Sequence, residues 1–163
     1  MTKKLPNFRW RSAPHVLATG FGSGLSPIAP GTMGTIAAIP FYLVVFAHVP
    51  TWLYAILLVL SFGFGVLWCH SSGKDFGVAD HGSIVWDEMV GYWLTAIVVS
   101  WHELPFYPWG LWAFVWFRLF DIVKPWPINL VDRQTRGGFG VMFDDILAAI
   151  YAGLVLELMI SVF

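Results

Sequence analysis

Carboxylates dominate the chemistry this sequence offers. Eight of its ten acids, all but Glu103 and Glu157, fall in or beside the segments that carry the basic residues, namely Asp75, Asp80, Asp87, Glu88, Asp121, Asp132, Asp144 and Asp145. Five of these border apolar runs: Asp87 with Glu88 and Asp144 with Asp145 are each expected to open a helix, and Asp121 to end one. Acids crowded in a poorly hydrated place repel one another, so they must either keep protons or recruit a cation. Magnesium fits best, being a hard ion that takes oxygen ligands and keeps several waters, and no Cys/His spacing of the zinc type is present. For one acidic pair alone, helix capping explains as much as ligation does. Two pairs together with Asp121 favour a metal site built from Asp87, Glu88, Asp121, Asp144 and Asp145.

Residues 117–125, Phe-Arg-Leu-Phe-Asp-Ile-Val-Lys-Pro, set Arg118, Asp121 and Lys124 at steps of three along one helical stripe. A self-neutralising ladder of ion pairs would account for that spacing, because charges near the membrane commonly pair with each other. The functional alternative makes Asp121 a ligand, base or nucleophile and lets Arg118 and Lys124 grip an anion such as phosphate. Upstream, residues 22–35 are rich in Gly, Pro and small hydroxyls and lead into a helix, so Pro30, Gly31 and Thr32 are candidate phosphate contacts. The Gly-Lys-Ser/Thr ending of a Walker loop is absent, and close helix packing explains such a loop equally well. The run Gly137-Gly138-Phe139-Gly140 is open to the same two readings. His15, His48, His70, His81 and His102 form no helical ligand pair, and Cys69 sits in an apolar run as a packing residue.

The elements that must position these groups are membrane helices. Charged residues make up 12% of the 163-residue chain against 58% hydrophobic, and none occurs between positions 12 and 73, which argues against a water-soluble monomer. Residues 52–69 form an unbroken apolar run long enough to nearly span the hydrocarbon. Residues 33–47, interrupted by Pro40, and residues 89–101, 109–123 and 146–163 complete five apolar segments. The fold class is therefore an all-α polytopic bundle of about five membrane-embedded helices in a single domain over residues 1–163. Residues 1–32 form a tail and loop ahead of it. Lys3, Lys4, Arg9 and Arg11 look like the start of a signal peptide, but Pro6, Asn7 and Pro14 break the tail up and no compact apolar stretch comes before Gly20, so the tail is expected to stay in the mature chain.

Every basic residue falls in the tail, around Lys74, or around Arg118, Lys124, Arg133 and Arg136, whereas the other two connections carry none. Lys and Arg are retained inside, so the N-terminus is expected in the cytoplasm, together with the acids. A net charge of −1 gives no reason to expect a nucleic-acid partner, and a lone Cys69 forms no internal disulfide.

Three stretches taken together resemble the phosphatidylglycerophosphatase A family: residues 24–35 (Gly-Leu-Ser-Pro-Ile-Ala-Pro-Gly-Thr-Met-Gly-Thr), residues 84–91 (Ile-Val-Trp-Asp-Glu-Met-Val-Gly), and residues 117–127 with 138–145. The resemblance covers nearly the whole chain and no motif acid departs from it. It implies a magnesium-dependent lipid phosphatase of the bacterial inner membrane, removing the terminal phosphate of phosphatidylglycerophosphate at the cytoplasmic face. It implies further that the acids hold one or two magnesium ions, that Arg118 and Lys124 neutralise phosphate oxygens, and that Asp121 is a further ligand or the base. Water activated by metal is the preferred route, and an aspartyl-phosphate on Asp121 is the alternative. A cation channel could also gather acids at helix ends, but a pathway needs polar groups at midplane depth, and no charge lies between positions 41 and 67. A purely structural subunit leaves the acids, Arg118 and Lys124 without a purpose, and a phosphatidyltransferase would need an Asp-Gly-x-x-Ala-Arg run that is missing.

Overall fold

Long apolar runs can satisfy their own backbone inside lipid only as helices, and helices are what these runs form. The computed structural model describes residues 7–78, 81–135 and 137–162. Lys3, Lys4, Asp80 and Arg136, which entered the charge distribution above, lie outside the described residues. Among the described residues seven α-helices occur in chain order: α1 (Ala13–Ala18), α2 (Pro30–Val44), α3 (Thr51–Phe76), α4 (Trp86–Trp101), α5 (Phe106–Val123), α6 (Ile128–Gln134) and α7 (Gly137–Val162).

The sequence explains several of the helix boundaries. Pro30 begins α2, at a position where its missing amide costs nothing, and Pro40 is accommodated inside that helix. Gly77 ends α3 in the left-handed conformation that glycine adopts freely, returning its amide to the carbonyls of Gly73 and Lys74.

Helix α4 is the axis of the bundle. It packs against α2, α3, α5 and α7, so ten of its 16 residues are buried and few polar side chains are tolerated along it. Trp93 and Tyr54 tie this centre together, with the Trp93 indole donating to the Ala38 carbonyl at 2.9 Å and the Tyr54 hydroxyl to the Trp93 carbonyl at 2.6 Å. The outer helices turn Val59, Leu67, Leu154 and Leu158 outward, fully consistent with lipid as their surroundings and costly in water. Three helical stretches, Pro30–His48, Thr51–Phe76 and Gly137–Val162, are long and apolar enough to cross a membrane. Helices α4 and α5, the other two expected segments, run within the same bundle.

The bundle helices alternate in direction, so that α2, α4 and α7 begin, and α3 and α5 finish, at one end. The N-terminal arm docks at this end too. There the Asn7 amide donates to the Asp75 carbonyl at 3.2 Å. The Arg9 amide donates to His15 Nδ1, which leaves the ring proton on Nε2 for Asp75 at 2.8 Å. The opposite end is held by Tyr42 with Ser100 at 3.2 Å and by His102 with Glu157 at 2.9 Å.

Two of the boundaries that differ from the sequence reading bear on the site. Helix α2 starts at Pro30 rather than Met33, which makes Pro30, Gly31 and Thr32 its first turn instead of a loop. Helix α7 starts at Gly137 rather than near Asp144, because Gly138 brings the chain flush against the Val66 carbonyl and the His70 amide of α3. The glycine run is a packing seam, the second of the two readings open to it. Asp144 and Asp145 therefore lie about two turns inside α7, where neither can serve as a cap.

Candidate active site

The five expected acids of the site are placed by three helices, α4, α5 and α7. Asp87 and Glu88 occupy the first turn of α4, where the helix dipole favours negative charge, yet no side chain caps this end. Asp145 comes from α7 beside them. One oxygen from each of Asp87, Glu88 and Asp145 lies within 4.8 Å of the other two. Asp121, in the last turn of α5, accepts from Arg118 Nη1 at 2.5 Å, and the same guanidinium stands 3.9 Å from Glu88 Oε1.

Lys124 adopts a left-handed backbone just past α5 and projects to two acids, Asp132 of α6 at 2.6 Å and Asp144 of α7 at 2.5 Å. Burial opposes its charge, but the hydrogen bonds it donates to Asp132 and Asp144 outweigh that penalty and hold its pKa above the ordinary lysine value.

The five expected ligands thus divide by partner. Asp87, Glu88 and Asp145 converge; Asp121 faces Arg118; Asp144 turns to Lys124. Of the expected phosphate contacts, Gly31 is buried against the site, since a Cβ at that position would meet Glu88 Oε1 and both terminal nitrogens of Arg118. Pro30 and Thr32 flank it, half-buried. Asp132 was legible only as one acid among eight. Its role as second partner of Lys124 depends on α6 folding back, which no spacing in the sequence announces.

Several polar atoms here are buried without a hydrogen-bond partner: Asp87 Oδ1, Glu88 Oε2, Asp144 Oδ1, Asp145 Oδ2 and Arg118 Nε. Buried polar groups are seldom left unpaired, because each loses its hydration without compensation. The three converging carboxylates and their spare oxygens fit a hard divalent cation, and the unsatisfied face of Arg118 fits an oxyanion.

An apolar helical bundle with buried acids and two clamped cations gathered at one end has the makings of a membrane protein that works on anionic headgroups. The family profile described as Phosphatidylglycerophosphatase A matches residues 16–160. The chain belongs to that family, and it is a phosphatase of phospholipid metabolism. A Phosphatidylglycerophosphatase A of Escherichia coli strain K12 is 51% identical over 137 residues, covering 83% of this chain and 77% of the relative. One from Haemophilus influenzae is 44% identical over 144 residues, covering 86% and 85%. A Bacteroides thetaiotaomicron protein named as a candidate phosphatidylinositol-3-phosphatase is 37% identical over 153 residues, covering 91% and 92%. No solved structure matches the chain.

Proposed function

We propose that the chain hydrolyses the terminal phosphomonoester of phosphatidylglycerophosphate, giving phosphatidylglycerol and phosphate, at the cytoplasmic face of a bacterial inner membrane. The observation that carries this reading is the meeting of Asp87, Glu88 and Asp145, with unpartnered oxygens, beside the half-satisfied guanidinium of Arg118. Family membership supplies the substrate class. The topology rests on charge: every Lys and Arg among the described residues lies toward the site end, the arrangement expected of a cytoplasmic face with five crossings.

Asp87, Glu88 and Asp145 would hold magnesium, with Asp121 and Asp144 as its neighbours. When bound, the ion would polarise the phosphoryl oxygens and offset the charge that builds up during displacement. The chain's own residues do the rest. Arg118 and Lys124 take equatorial phosphate oxygens, and both are already oriented by carboxylates, so little side-chain freedom is lost on binding. Gly31 lets the backbone of α2 approach the phosphate where any side chain would stand in its place. Asp121 acts as base, taking a proton from the water whose oxygen bonds to phosphorus as the bond to the glycerol oxygen breaks, and returning that proton to the leaving oxygen. Direct attack by Asp121 on phosphorus is the other route, with water then cleaving the acyl phosphate.

Phosphate release by the purified protein in detergent tests the proposal, with phosphatidylglycerophosphate, phosphatidic acid, lysophosphatidic acid and phosphatidylinositol 3-phosphate as parallel substrates. The expected result is preference for phosphatidylglycerophosphate, abolished by chelator and restored by magnesium. Undiminished turnover in excess chelator would remove the metal. Preference for phosphatidylinositol 3-phosphate would move the substrate to the one in the name of the Bacteroides relative.

A further inference from the structure

Beside the carboxylates and reaching below them, an apolar groove of about 350 Å³ runs between α3 and α7. Its floor is Val90 and Leu94 of α4, and its walls are Leu58 and Phe62 of α3 and Phe143 and Ile146 of α7. On α4 the residues Asp87, Val90 and Leu94 succeed one another at steps of three and four and so lie on one face, carboxylate first and groove after. Leu94 is about 10 Å further along the helix than Asp87 at the ordinary helical rise. The rims, Val59 and Phe139, are exposed where the outer surface meets lipid.

We propose that this groove holds one acyl chain of the lipid whose phosphate is cleaved, so that it sets the depth and chain preference of the substrate. The proposal rests on the lipid-phosphatase reading above and extends it to the other end of the molecule. Continuity with the site identifies the occupant, since a terminal phosphate held at Asp87 is separated from the acyl chains by a glycerol, a phosphodiester and the glycerol backbone, a span comparable to the roughly 10 Å from Asp87 to Leu94, so the chains start at the Leu94 end of the groove. The groove does not act by withdrawing a chain from water, because that chain is already in hydrocarbon. It acts by packing and by fixing orientation, so its effect belongs in KM and in the discrimination between chain lengths.

The test uses the full-length wild type, Leu94→Trp and Val59→Trp in mixed micelles. Phosphate release is measured from dioleoyl and from dihexanoyl phosphatidylglycerophosphate. Leu94→Trp fills the floor, and Val59→Trp, at an exposed position that places no demand on folding, overhangs the wall. Both are expected to lower kcat/KM for the dioleoyl substrate at least about tenfold through KM, and to leave the dihexanoyl substrate within about twofold. Equal losses on both lipids in both variants, or no loss on the dioleoyl lipid, would overturn the proposal. A second measurement does not depend on turnover: photolabelling by a phosphatidic acid with a diazirine in mid-chain. Adducts confined to the peptides containing Leu94 and Phe143 are expected. Adducts spread over the outer residues Leu154 and Leu158, or chain-to-chain disulfides formed by Val59→Cys, would overturn it. If the groove is labelled while phosphatidylglycerophosphate is not cleaved, the substrate assignment fails and the groove stands.

Discussion

Arg118 meets Asp121 at 2.5 Å while its Nε stays buried and unpaired, so the guanidinium keeps a donor unsatisfied before substrate arrives. That asymmetry separates an ion pair from a working site. Asp121→Asn keeps the size and removes the charge. If Asp121 is ligand, base or nucleophile, turnover should drop at least about a hundredfold with thermal stability in detergent little changed. If it merely balances Arg118, stability should suffer and turnover survive, and measuring both on one preparation tells the two apart. Gly31 offers a second handle. A methyl at Gly31 would collide with the flexible tips of Glu88 and Arg118 rather than with backbone, so Gly31→Ala should fold normally and lose at least about tenfold in kcat/KM. Unchanged kinetics in that variant would mean that the first turn of α2 is not part of the site. The acids and the Arg118, Asp121, Lys124 stripe were legible from residue type and spacing alone. What the sequence left unresolved was their grouping, because whether Asp144 joins Asp145 or turns to Lys124 depends on its rotation about α7, about 100° from its neighbour.

At the scale of elements, the long helices were legible because their apolar runs have no other way to satisfy their backbone in lipid. The beginning of α7 was not, since Gly137-Gly138-Phe139-Gly140 reads equally as a loop and as a seam. The structure shows the seam: a Cβ at Gly138 would run into the Val66 carbonyl and the His70 amide, backbone atoms that cannot swing aside. Gly138→Val should therefore push α7 off α3 and destabilise the protein by at least about 2 kcal/mol, seen as a lower Tm in detergent and reduced yield in the membrane. A Tm equal to wild type would show that the two helices have room to separate. Helices α1 and α6 are too short to show a period in sequence, yet α6 brings Asp132 to Lys124 and the arm around α1 brings His15 to Asp75. The short α6 thus adds a partner to the site that the long helices carry, while the arm around α1 ties the same end of the bundle together.

The whole molecule is organised by one asymmetry. Among the described residues every Lys and Arg and every acid but Glu103 and Glu157 share one end of the bundle, while the other end joins helices through Tyr42 with Ser100 and His102 with Glu157. A phosphomonoester on a lipid made inside the cell can be reached only from the inner leaflet, so the site end must face the cytoplasm for the proposed reaction to run. The distribution of Lys and Arg argues for the same orientation independently of any catalytic role. Single cysteines placed at Lys74 and at Glu103 test it, both positions being exposed and at opposite ends, and the native Cys69 is buried and should stay silent to a bulky reagent. In intact cells an impermeant maleimide should modify Glu103→Cys at once and Lys74→Cys only after lysis. Labelling of Lys74→Cys before lysis would put Asp87, Glu88 and Asp145 outside the cell, away from lipid synthesised within it, and the activity proposed for them would have to be abandoned even if the purified protein released phosphate in detergent.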